Sequence, residues 1–213
     1  ASSLKSTGWD VSLVEDQSNN QQIFFHYPQS RVTQGTSYNP PRVRIELTAR
    51  TENKPAMNAV VSPFVAEQFP DALSNSQVGV EVLRVERTFW EKATILHQFH
   101  FQNDPVRVSP GFSRHYYDIH ELVNRGFSDK AIEEIALLTE VADHKDIYYR
   151  QQWSRYDLAR YPRTLELLPH TDIESAIAAD YVDMQEMIYG ELPTFDEILQ
   201  TLRQLQSQIN ALH

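Results

Sequence analysis

The hydrophobic rhythm of the chain changes part-way along. Over the first 86 residues apolar positions alternate with polar ones; after that they recur at three- and four-residue spacing. The first half therefore predicts strands and loops, the second helices. Residues 11–14 and 22–27 read as strands, the second rich in aromatics and bounded by Asn19-Asn20 and Pro28. Residues 29–41, with Gly35, Asn39, Pro40 and Pro41, predict a loop. The clearest strand is 42–50, where Val43, Ile45 and Leu47 share one face and Arg44, Glu46 and Thr48 the other. Ala59-Val60-Val61 and residues 78–85 complete the strands, with one helical turn at 64–69 between them.

Thr88-Phe89-Trp90-Glu91 has the Thr-x-x-Glu form of a helix-capping box, as does Thr194-Phe195-Asp196-Glu197. The first should open a helix with Phe89, Ala93 and Leu96 on one side. A second helix is expected over 115–124, stopped by Gly126, and a third from Ser128 with Ile132, Ile135, Leu138 and Val141 inward. A fourth is expected over 144–159, a fifth over 173–189 with Ile177, Tyr181, Met184 and Ile188 inward, and a last from Thr194 to the end. The fold class expected is α+β, with a sheet region at 1–86 and a helical lobe at 87–213.

Composition removes several function classes. With 213 residues, 41% hydrophobic and 23% charged, the chain is an ordinary globular one. It has no cysteine, so a disulfide framework or a zinc–thiolate site is excluded. No apolar run approaches the ~18 residues of a membrane helix, and residues 1–6 lack a signal-type apolar core. A cytoplasmic protein with no membrane partner is expected. The net charge of -10 argues against coating of nucleic acid by phosphate neutralisation. Yet Arg42, Arg44, Arg50, Arg84, Arg87, Lys92 and Arg114 lie within one stretch, enough for a small basic pocket for a phosphorylated ligand, while the region after 165 is acidic.

Lys92 stands in the middle of a helix among apolar neighbours. Two readings are open: a lysine snorkelling past the core, or a point charge aimed at a phosphate. Asp118, between Tyr117 and Ile119, is either a first-turn aspartate favoured by the helix dipole or a carboxylate working beside Lys92. As a pair they have the chemistry to orient a hydroxyl nucleophile and to neutralise a leaving phosphate. Glu46, on its strand beside Arg44, belongs either to a solvated sheet face or to a metal site held by a rigid strand. His97, His100, His115 and His120 lack metal-site spacing, and His120-Glu121-Leu122-Val123-Asn124 is not the HExxH motif. The six glycines are isolated, so no phosphate-cradling loop is present, and there is no G-x-S-x-G.

Thr88-Phe89-Trp90-Glu91-Lys92-Ala93-Thr94-Ile95-Leu96-His97, followed by Ser113-Arg114-His115-Tyr116-Tyr117-Asp118-Ile119-His120-Glu121-Leu122, resembles the AbiEii/AbiGii nucleotidyltransferase toxins of type IV toxin–antitoxin and abortive-infection systems. Val43-Arg44-Ile45-Glu46, Asp143-His144-Lys145, Asp180-Tyr181-Val182-Asp183-Met184 and Tyr189-Gly190-Glu191-Leu192-Pro193-Thr194-Phe195 extend the likeness in the same order. The resemblance implies a polymerase-β-like fold, a small mixed sheet followed by a helical lobe. It implies transfer of a nucleotide from an NTP, with Mg2+, to an RNA (tRNA) or protein acceptor, and a cognate antitoxin. By position it makes Lys92 and Asp118 the candidate catalytic residues and Glu46 a candidate metal ligand. Lys145, Arg84 and Arg114 are the candidate substrate-binding residues.

The sequence departs from the pattern in one respect. The superfamily's Gly-Ser or Gly-Gly turn followed by an Asp-x-Asp or Asp-x-Glu strand is missing, and the adjacent carboxylates Glu15-Asp16 cannot face one site from a strand. The expectation is therefore a C-terminal portion of such a toxin, inactive as this fragment. The alternatives are a non-catalytic module that binds a nucleotide or a partner at the Lys92–Asp118 cleft, and a purely structural helical domain.

Overall fold

The computed structural model describes residues 10–15, 21–26, 40–48, 50–73 and 76–212. Its first three strands, β1 (Asp10–Glu15), β2 (Gln21–His26) and β3 (Arg42–Leu47), form an antiparallel sheet in that order. Ile23 lies opposite both Leu13 and Ile45, and Phe25 opposite both Val11 and Val43, so the alternation places these side chains on one face. On the other face Phe24 is buried beneath the Arg42 guanidinium, 4.2 Å from the ring centroid. Strands β4 (Ala56–Val61) and β5 (Val78–Leu83) pair as a second antiparallel sheet, with the one-turn helix α1 (Val65–Gln68) between them. The α+β class stands as expected, and the described strands pair antiparallel throughout, in place of one mixed sheet. Strand β4 starts three residues earlier than the run 59–61 predicts, and β3 ends at Leu47.

Helix α2 (Val85–His100) is the centre of the helical lobe. It packs against α3 (Arg114–Asn124), α4 (Phe127–Glu133), α5 (Ala136–Tyr148) and the short α6 (Tyr156–Ala159). Phe89, Ala93 and Leu96, at the spacing read from sequence, have no exposed surface, and neither has Trp90. Trp90 Nε1 donates to the Ala131 carbonyl at 3.0 Å, which locks α2 to α4. Around this layer lie α7 (Thr171–Met184) and α8 (Phe195–Asn210). No helix among the described residues is long and apolar enough to cross a membrane.

Four expectations need correction. The helix containing Thr88 begins at Val85, so the predicted capping box does not form: the Thr88 hydroxyl donates back to the Arg84 carbonyl at 3.3 Å. Glu91 is drawn away from that role by two cations, Arg87 and Lys145. The predicted third helix divides into α4 and α5 at Glu134, whose backbone (φ -101°, ψ 43°) leaves the helical region while its carboxylate pairs with Arg84. The predicted fourth helix breaks after Tyr148, because Ser154 Oγ accepts the Gln151 N–H at 2.7 Å and Arg155 takes φ 46°, forming a turn before α6. Ile177, Tyr181 and Met184 are buried as expected, but α7 ends at Met184 and Ile188 lies beyond it.

The stops and the second capping box are as the sequence predicts. Gly126 at φ 75° follows the C-terminal cap of α3, a conformation that costs glycine nothing. Thr194 Oγ accepts the Glu197 N–H at 3.2 Å and Glu197 accepts the Thr194 N–H at 2.7 Å. Thr194→Ala should therefore lower stability by about 1 kcal/mol, and Leu96→Ala by about 2–5 kcal/mol. Urea unfolding followed by circular dichroism would measure both; equal effects would contradict this account of the core.

Candidate functional site

Helices α2 and α3 bring Lys92 and Asp118 together. Lys92 Nζ donates to Asp118 Oδ2 and lies 3.4 Å from His115 Nδ1. Lys92 is 24% exposed and Asp118 36%, so both can be reached from solvent. His115 and Asp118 are one turn apart on α3 and so share a face. The imidazole of His115 is held neutral: burial first, then the positive charges of Lys92, Arg114 and Lys145, push it down to about 3. A neutral ring lets Nδ1 accept from the Lys92 ammonium, which places the ring proton on Nε2.

A second lysine stands behind the first. Lys145 of α5 is buried, and its ammonium donates to the Glu91 carbonyl at 2.7 Å, with Glu91 Oε2 at 3.4 Å. Burial pushes Lys145 down to about 8; Glu91 opposes that shift, while Lys92 and Arg87 add to it. Glu91 also accepts from Arg87 Nε at 3.1 Å, one turn away on α2. A cavity of about 270 Å3 beside them is lined by Glu91, Lys145, Tyr149 and Tyr156.

The remaining predicted residues lie elsewhere. Arg84 caps α2, with Nε on Glu86 at 3.1 Å and Nη2 on Glu134, and the Glu134 hydrogen bond is the main cause that raises its pKa. Arg114 is exposed at the first position of α3. Glu46 lies on β3, paired with Arg44 Nε at 3.1 Å and about half exposed. Among the described residues no group of three or more His, Cys, Asp or Glu side chains is disposed to hold a metal ion.

Three histidines are occupied by structural bonds. His97 Nε2 donates to the Arg155 carbonyl and Nδ1 accepts the Glu166 N–H, both at 3.0 Å. His100 Nδ1 donates to the Leu168 carbonyl at 2.9 Å. His120 bridges Thr201 and Asn124, both at 2.9 Å. The roles of Glu91 and Arg87 in the site were not read from sequence. Their i, i+4 spacing on the strand-proximal turns of α2 was the available signal, obscured by the capping-box pattern.

One comparison bears on this arrangement. The family described as "Nucleotidyl transferase AbiEii toxin, Type IV TA system" matches residues 5–201. The chain belongs to the AbiEii toxin family. No curated protein and no solved structure matches it. The likeness in sequence around Lys92 and Asp118 is thus part of a match over nearly the whole chain of this AbiEii-family protein.

Buried neutral histidines give this AbiEii-family chain an acid limb. In the unfolded chain an imidazole takes its proton near pH 6.5, whereas His97, lowered by burial, takes it near 4 and His115 near 3. The unfolded state binds more protons between these values, so stability falls as the pH drops from about 6.5 towards 4 and below. Urea midpoints at pH 7.5 and 4.5 should show this, and His97→Gln, which keeps a donor and an acceptor, should flatten the difference. A pH-independent midpoint in the parent protein would contradict it.

Proposed function

We propose that the α2–α3 junction holds the phosphates of an NTP, and that this is the nucleotide site of a nucleotidyltransferase toxin. The observation that carries the reading is the meeting of Lys92 and Asp118, from helices separated by a loop, in one solvent-accessible contact. An ammonium there neutralises charge on a departing pyrophosphate. Lys145 adds a second positive charge behind it, and Arg114 lies exposed at the entrance of α3. His115, as a neutral acceptor, steers the Lys92 ammonium without competing for the phosphate. Asp118 fixes the position of Lys92 and is the available carboxylate to take the proton of an acceptor hydroxyl. The acceptor class is an RNA, such as tRNA, or a protein, and family membership supports a cognate antitoxin as partner.

The sequence has no Gly-Ser or Gly-Gly turn leading into a strand of alternating carboxylates. The 213-residue chain is therefore expected to hold an NTP without transferring it. Titration of each of the four NTPs into the chain, read by calorimetry, tests the site. Binding is expected for at least one NTP, and Lys92→Ala should weaken it about 10- to 100-fold, the range for a charge-assisted hydrogen bond. Unchanged affinity in that variant would remove Lys92 from the site. NTP-dependent labelling of RNA by the chain alone would overturn the expectation that it only binds.

A further inference from the structure

Strand β3 closes one side of the three-stranded sheet, and among the described residues nothing pairs with its outer edge. Every residue from Arg42 to Leu47 is exposed. Such an edge presents a row of free N–H and C=O groups, a template for another strand. Soluble proteins usually blunt it with lysine, proline or a bulge. β3 has no lysine or proline between 42 and 47, and its residues pair with β2 one for one, without a bulge. Its apolar face is also bare, with Val43, Ile45 and Leu47 being 49%, 42% and 47% exposed. On the same face Leu13 of β1 is exposed, and Ile23 and Phe25 of β2 are only partly covered.

The order of residues along β3 says which strand fits this edge. Residues directly opposite in an antiparallel pair lie on the same side of the sheet. A second copy of β3, laid antiparallel with Ile45 facing Ile45, places Val43 opposite Leu47 and Arg44 opposite Glu46. Two-fold symmetry repeats each of these pairs. The apolar face then continues across the seam, and each charge meets its opposite. Centring the pair on Arg44 or on Glu46 instead puts like charges face to face at the axis. A half-step register sets Arg44 beside Ile45 and breaks both faces. The opposite edge of the sheet offers nothing comparable, since the charged residues of β1, Asp10 and Glu15, are both acidic.

The charges needed at the seam are available. Within one copy Arg44 Nε lies 3.1 Å from Glu46, and both side chains are about half exposed. An exposed pair of this kind is worth little net energy and exchanges partners readily. We propose that two copies of this chain associate through β3, about a two-fold axis at Ile45, with cross-strand Arg44–Glu46 pairs on the polar face. The product is a continuous six-stranded antiparallel sheet, three strands from each copy. An edge-to-edge contact is small, so the dimer is in exchange with the single chain. The proposal is independent of the nucleotide reading of the α2–α3 junction.

Sedimentation equilibrium of the full chain, from roughly micromolar to roughly millimolar concentration, tests it. The mass should rise from the 24.7 kDa of one chain towards twice that value. Arg44→Glu and Glu46→Arg each put like charges at both seam positions, and each should weaken association about tenfold or more. Both changes fall on exposed side chains, so the circular dichroism of the parent should be kept. Mixing the two variants brings opposite charges together again, and a heterodimer of parental affinity should form. A parent chain that stays at the single-chain mass would overturn the proposal. So would single variants that associate as tightly as the parent, or a mixture no tighter than its components.

Discussion

The buried ammonium of Lys145 is the constraint on which the helical lobe turns. A lysine enclosed by protein is costly unless a partner neutralises it and its donors find acceptors. Glu91 provides both, through its backbone carbonyl at 2.7 Å and its carboxylate at 3.4 Å. The same carboxylate takes Arg87 Nε, so one acidic side chain ties α5 to two turns of α2. Loss of one partner from a buried pair typically costs about 3–5 kcal/mol, because the other charge is left uncompensated. Lys92 follows Glu91 in sequence and Arg87 precedes it by a turn. The orientation of α2 that satisfies Lys145 therefore also fixes where Lys92 and Arg87 emerge, on either flank of one helix.

The other half of the site is held from further away. Asp180 of α7 accepts the backbone N–H groups of Gly111 at 2.6 Å and Ser113 at 2.8 Å. Those amides precede the first turn of α3, where no intrahelical acceptor is available to them. Their capture sets the start of the helix, and with it the face that carries His115 and Asp118 towards Lys92. Phe112 is meanwhile stacked on Phe99 of α2, with centroids 3.5 Å apart. The contact between Lys92 and Asp118 is thus held by a chain of polar and aromatic contacts running from α7 through the loop into α2.

The sequence was most legible where a single periodicity or a local motif decides the structure. The alternation of β3, the buried Phe89, Ala93 and Leu96 of α2, the Gly126 stop and the Thr194 box need no distant partner, and all are present. It was least legible where a charged side chain chooses among partners far apart in the chain. Thr88-x-x-Glu91 has the pattern of a cap, but Lys145, 54 residues later, takes Glu91 instead. Glu134 and Ser154 likewise end helices that periodicity alone would continue, one through Arg84 and the other through a local backbone turn. The pairing of Lys92 with Asp118 was visible through likeness to the family's motif; spacing could not place two helices side by side. Nothing in the linear pattern distinguished Arg87 from a surface arginine, since its burial depends on the Lys54 carbonyl 33 residues upstream.

An acidic chain with a cationic site must keep that site from neutralising itself completely. At the junction Asp118 already occupies Lys92, and Glu91 occupies Lys145. The two pairs differ in what a ligand can do to them. In Glu91–Lys145 the lysine is buried while Glu91 is partly exposed; the pair serves the fold, and separating it would leave a buried ammonium. Lys92–Asp118 is open to water, where an ion pair is worth little net energy and exchanges readily for another acceptor. On the NTP reading, an arriving phosphate competes for the Lys92 ammonium and, in winning it, loosens Asp118. The carboxylate then becomes available at the moment a substrate is present, while the enclosed lysine stays in place and holds the local charge positive. On that reading, the deeper burial of Lys145 separates the pair that builds the site from the pair that responds to a ligand.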